Sequence, residues 1–126
     1  MTLNDIIKEL DAEVIVGHDK LDMELKTAFA ADLMSDVLAF ARSGCLLITG
    51  LTTAQSVRTA FALDIAAIAI CRGKMPQEQA IEIAKELHIP IIRTKYIMFE
   101  TCGFLYRSGI RGCIREICAG DNYCGV

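Results

Sequence analysis

The sequence predicts an α/β fold, a layered, mostly parallel sheet of four to five strands flanked by helices. Three observations carry this. Apolar runs over 45–49, 66–70 and 89–93 are each about five residues long and do not alternate with polar residues, the pattern of parallel strands buried on both faces. Stretches of helical period separate these runs, which gives successive strand-helix units. The 126 residues, 53% of them hydrophobic, suit one core, since a single core serves chains of about 100–200 residues.

The elements follow in order. Residues 3–10 read as a short helix with Ile6, Ile7 and Leu10 apolar, followed by a strand over 13–17 and a second candidate strand over 23–27. Asp32 is placed to cap a helix carrying Leu33, Met34, Val37, Leu38 and Ala41, closed by Gly44. The strand 45–49 turns at Gly50 into a helix over about 53–63. There Thr52 and Gln55 have the spacing of a capping box, in which the hydroxyl accepts from one free N–H and the amide reaches back to another. Ala54, Val57, Ala60 and Phe61 share one face of this helix. After the strand 66–70, Pro76 suits the first turn of the next helix, where its missing N–H is no loss. Ala80, Ile83, Ala84 and Leu87 form the inward stripe, and His88 with Ile89-Pro90 ends it. A last helix over 97–107 presents Met98, Cys102 and Leu105 and stops at Ser108-Gly109. The remainder reads as a short extra strand or turn and a tail.

Several classes are excluded at this level. A net charge of -3 and sparse aromatic interleaving argue against a nucleic-acid partner. The start Met-Thr-Leu-Asn-Asp-Ile lacks the basic and apolar regions of a secretory signal, so a cytoplasmic location is expected. The apolar tract 45–71 is interrupted by Gln55, Arg58, Asp64 and the turn at Gly50, which makes it a buried strand-helix-strand unit rather than a membrane span. The six cysteines contain no Cys-x-x-Cys pair, and in a reducing compartment they are thiols. Cys45, Cys71 and Cys102 fall on core-facing positions, whereas Cys113, Cys118 and Cys124 are expected to be more exposed, where a metal or iron–sulfur role is the alternative reading. An apolar content above the usual range predicts an exposed apolar patch and a homodimer.

The candidate ligand residues gather where parallel strands end. Gly50 permits a tight turn, and Thr52 opens a helix whose free N–H groups favour an anion, although capping alone also accounts for Thr52. Asp32, Ser35 and Asp36 share about one face at a helix start, either as dipole-compatible residues or as ligand contacts. Arg93 and Thr94 follow the last buried strand, in a region (93–115) where five basic residues face only Glu100. No Gly-x-x-x-x-Gly-Lys-Thr occurs and neither His18 nor His88 has a nucleophile nearby, so no cofactor, metal site or catalytic residue is predicted.

The stretch Asp32-Leu-Met-Ser-Asp-Val-Leu, the turn Leu47-Ile-Thr-Gly, Ala66-Ala-Ile-Ala-Ile, Ala84-Lys-Glu-Leu-His-Ile-Pro-Ile, and Phe99-Glu-Thr with Leu105-Tyr-Arg-Ser-Gly occur in one order. Together they resemble the DRTGG domain family, in particular small stand-alone members found near iron hydrogenase genes in anaerobic bacteria. The similarity covers residues 1–112 and leaves a Cys-containing tail over 113–126. The naming string itself is absent, and only Thr49-Gly50 matches it. The resemblance implies a fold similar to the HPr kinase N-terminal-like domain. It also implies a non-catalytic regulatory, ligand-binding or dimerising module, sensing a small phosphorylated or nucleotide ligand in hydrogenase-linked metabolism.

Overall fold

A computed structural model describes residues 1–118, 122 and 123. In chain order the elements are α1 (Leu3–Glu9), β1 (Glu13–Val16), β2 (Thr27–Ala30), α2 (Met34–Phe40), β3 (Leu46–Thr49), α3 (Ala54–Ala62), β4 (Ala67–Ile70), α4 (Glu78–Leu87), β5 (Ile91–Arg93), α5 (Met98–Arg107), β6 (Arg111–Gly112), β7 (Ile117–Cys118) and β8 (Asn122–Tyr123). The first six strands form one sheet in the order β1-β5-β4-β3-β2-β6, and β7 pairs with β8. Only β1 runs antiparallel to its neighbour in the large sheet. The expected mostly parallel sheet is therefore present, with the two-residue β6 as its sixth strand.

The continuous apolar strands divide their side chains between two cores. Leu47, Ile68, Ile70 and Ile91 face Val37, Val57, Ala60, Ala80 and Ala84 of α2, α3 and α4. Leu46, Ile48, Ala67, Ala69 and Ile92 face Leu3, Ile6, Leu10 and Leu105 around α1 and α5. The sequence Ala-Ile-Ala-Ile of β4 thus reads as one bulky and one small face, both buried. Chain leaving β2, β3 and β4 enters helices on the first face, and chain leaving β5 enters α5 on the second. That reversal places the topological switch point between β4 and β5, the position at which open parallel sheets hold ligands outside their carboxyl ends.

Five local expectations are corrected. The second strand lies at Thr27–Ala30 and not at 23–27; Leu25 is instead buried and its N–H bonds to Met1 O. Asp32 does not cap α2, whose N-cap is Leu33 without a side-chain bond. Gly44 closes a later turn rather than the helix, its N–H donating to Asp64 O at 2.8 Å. Thr53 caps α3 in place of Thr52, accepting from Ser56 N at 3.3 Å, and Pro76 stands two positions before Glu78, where α4 begins. At α3 a neighbouring hydroxyl, and at Gly44 a bond to Asp64 O, takes the place that local spacing had assigned.

Candidate functional site

The carboxyl ends of β2 and β3 are fastened by one carboxylate. Asp32 follows β2, and its Oδ1 accepts from Gly50 N at 2.6 Å and from Thr49 Oγ1 at 3.1 Å. Thr49 Oγ1 in turn accepts from Leu51 N at 3.2 Å. The turn that was expected to cradle an anion therefore already holds one, supplied by the chain itself. Charge-assisted bonds of this kind are about twice as strong as neutral ones, so Asp32 fixes the turn while the residue stays exposed to solvent.

Arg72 completes the cluster. It follows β4 with φ 65°, and a Cβ built on Gly50 would lie 2.6 Å from its Nη2, 3.2 Å from Nε and 3.3 Å from Cζ. The exposed guanidinium rests on the bare Gly50 backbone, and the same residue's N–H donates to the Asp32 carboxylate. A carboxylate beside a planar guanidinium can take a hydroxyl or amino donor at one end of a ligand and a phosphate at the other. Arg72 was not among the residues singled out from sequence. The signal was available, since Arg72-Gly73 follows a buried strand as Arg93-Thr94 does.

The other expected residues do not converge with this group. Ser35 and Asp36 are exposed in the first turn of α2, and no hydrogen bond ties either to Asp32. Thr52 contributes its carbonyl, which accepts from Gln77 N at 2.9 Å and joins the turn after β3 to the start of α4. Arg93 is half-buried and points across to β1, 3.6 Å from Met75 Sδ and 4.0 Å from Glu13 Oε1. Thr94 is buried; its hydroxyl donates to Leu10 O at 2.8 Å and accepts from Tyr96 N at 3.3 Å. The switch point itself is laced by backbone, Arg72 N to Tyr96 O and Gly73 N to Thr94 O, both at 2.8 Å.

The cysteines pack as apolar groups. Burial pushes up the Cys71 thiol, aided by the nearby negative charge of Asp32 and then by Cys102, and its Sγ donates to Thr49 O at 3.4 Å. Cys45 is pushed up to about 12 by burial and by the adjacent Cys113. Cys113, expected to be exposed, is buried at 5%, because β6 draws it back over the sheet. The Cys118 side chain and Cys124 lie outside the described residues. Among the described residues no three His, Cys, Asp or Glu side chains are grouped to hold a metal ion, and no helix is long and apolar enough to cross a membrane.

The family model of the DRTGG domain matches residues 5–108. Among solved structures the chain is similar to the CBS and DRTGG domains of the regulatory region of Clostridium perfringens pyrophosphatase, complexed with its activator, diadenosine tetraphosphate. The identity is 22% and the TM-score 0.71, covering 86% of this chain and 47% of that one. This chain thus spans about half the length of that structure, and the likeness is one of fold. No curated protein matches the sequence.

Proposed function

The chain belongs to the DRTGG domain family, and on that premise we propose that it is a non-catalytic regulatory module that binds a small phosphorylated or nucleotide ligand at the carboxyl edge of its sheet. The observation that carries this reading is that the Arg72 guanidinium lies on Gly50, the residue whose N–H donates to the Asp32 carboxylate. Arg72 takes phosphate oxygens, and Asp32 takes a ribose hydroxyl or a base amino group. Lys74 and Lys95, both exposed on the neighbouring turns, add positive potential at the same edge. The similar pyrophosphatase regulatory region is complexed with a dinucleotide, which favours a nucleotide over a simple phosphorylated acid. Self-association, and a partner in hydrogenase-linked anaerobic metabolism, are the further parts of this reading that the family resemblance supports.

A thermal-shift series with adenine mononucleotides, diadenosine tetraphosphate and phosphorylated metabolites tests it. A ligand at 100 times its Kd adds about 2.7 kcal/mol, a rise in Tm on the order of 10 °C for a chain of this size. The expected result is such a rise for at least one nucleotide, reduced by more than half in both Arg72→Ala and Asp32→Asn. Flat curves across the series, or a shift that both variants retain, overturn the site.

A further inference from the structure

Helix α5 turns Thr101 and Leu105 into the core and leaves its opposite face exposed, with the Arg111 guanidinium 4.5 Å over the Tyr106 ring at the cavity mouth. On that face stand Phe99, 81% exposed, and Tyr106, 58% exposed. Between them is Gly103, where an added Cβ would meet nothing within 4 Å. At roughly 100° per residue, Phe99 and Tyr106 fall on one flank of Gly103, and Glu100 and Arg107 on the other. The aromatic flank borders a cavity of about 160 Å³ between α5 and the sheet edge, walled by Ala28, Ala30, Ile48, Leu105 and Ile110 and open to the surface. A cavity on the order of 150 Å³ accommodates a benzene ring.

We propose that this face pairs with α5 of a second copy of the chain, antiparallel about a two-fold axis beside Gly103, with the Phe99 ring of each copy entering the cavity of the other. This deepens the self-association part of the proposed function and rests on it. The charge pattern selects a second copy. A two-fold axis perpendicular to the helix sets the first turn of one α5 against the last turn of the other, so Glu100 meets the partner's Arg107 twice. A parallel pairing would set each charged flank against the partner's aromatic flank, and Glu100 and Arg107 would find no opposite charge there. The same operation carries the partner's Phe99 to the level of Tyr106 and Ile110, where the cavity opens, and Gly103 lets the two backbones approach. At ~200 Å² per aromatic side chain, the exposed parts of Phe99 and Tyr106, 81% and 58% of each, supply roughly 280 Å². The cavity wall and the charged flank must furnish the rest of the ~800 Å² per partner of a standard interface. A reversible, micromolar dimer is the consequence.

Sedimentation over a concentration series on the full chain decides it. The wild-type protein should reach twice its 13.8 kDa mass, and Phe99→Ala should raise the dissociation constant at least about tenfold, as loss of a central aromatic anchor does, with an unchanged melting curve. Glu100→Arg and Arg107→Glu should each weaken the dimer severalfold and together restore it, a rescue only antiparallel pairing gives. Arg107 also reaches Glu9 at 3.4 Å, but that pair is exposed and of little energetic weight. A dimer indifferent to Phe99→Ala and to the charge exchange overturns this interface while self-association stands. A wild-type chain that stays monomeric at every concentration overturns both.

Discussion

A Cβ added at Gly50 would lie 2.6 Å from Arg72 Nη2, and one added at Gly17 would lie 2.8 Å from Pro90 Cβ and 2.9 Å from Pro90 Cα. The first neighbour is the tip of an exposed, flexible side chain; the second is backbone and a closed ring. Gly17 also has φ +96°, which an L side chain rarely adopts. The two substitutions to alanine should therefore separate stability from binding. Gly17→Ala is expected to cost about 2 kcal/mol or more in urea unfolding, from strain and from the displaced β5 start. Gly50→Ala should stay within about 0.5 kcal/mol of wild type, since Arg72 can swing aside, yet it should lose most of the nucleotide-induced thermal shift because the guanidinium no longer rests on the turn. Equal stability losses in the two variants would show that Arg72 is part of the scaffold rather than of a site.

Between elements, single polar side chains fix the geometry, and Thr94 is one of the most deeply buried. Its hydroxyl joins Leu10 O, just past the end of α1, to the turn that leads from β5 into α5. Thr94→Val keeps the shape and strands both partners, so the expected loss is about 1–3 kcal/mol by urea unfolding, with Thr94→Ser recovering most of it. A neutral Thr94→Val would mean that water reaches Leu10 O. Such bonds also mark the limit of what sequence shows. Strands β3, β4 and β5 were legible because burial on both faces demands an unbroken apolar run. β2 was not, because Thr27-Ala-Phe-Ala is only partly covered, while Met23 and Leu25, which alternate with Glu24 and Lys26, imitate a strand. Gly50 and Asp32 were picked out on local grounds, as a turn and a helix cap. What joins them is a bond across 18 residues, which no local spacing encodes. Arg72 was passed over because its role depends on lying against Gly50, a contact between turns after two different strands.

At the scale of the molecule, the last strand of the large sheet closes the fold onto its first third. β6 pairs with β2, Cys113 N donates to Ala28 O at 3.1 Å, and the Cys113 thiol comes to rest against Cys45 at the start of β3. The family similarity ends at residue 108, but the core on the α2, α3 and α4 side continues through Cys113 and Ile114. This seam gives the whole fold an alkaline sensitivity. The Cys45 thiol titrates at 9.0 ordinarily and is pushed up to about 12 in the folded chain by burial and by Cys113. The folded state therefore keeps a proton that the unfolded state releases, and stability falls with pH wherever the native chain binds more protons. The contribution is fully present below 9.0 and is lost as pH rises through about 12. Urea midpoints should hold steady up to pH 9.0 and decline above it, with a shallower decline in Cys45→Ala, whose lower starting stability reflects the lost packing alone. Parallel declines in the two proteins would place the alkaline loss elsewhere than at this seam.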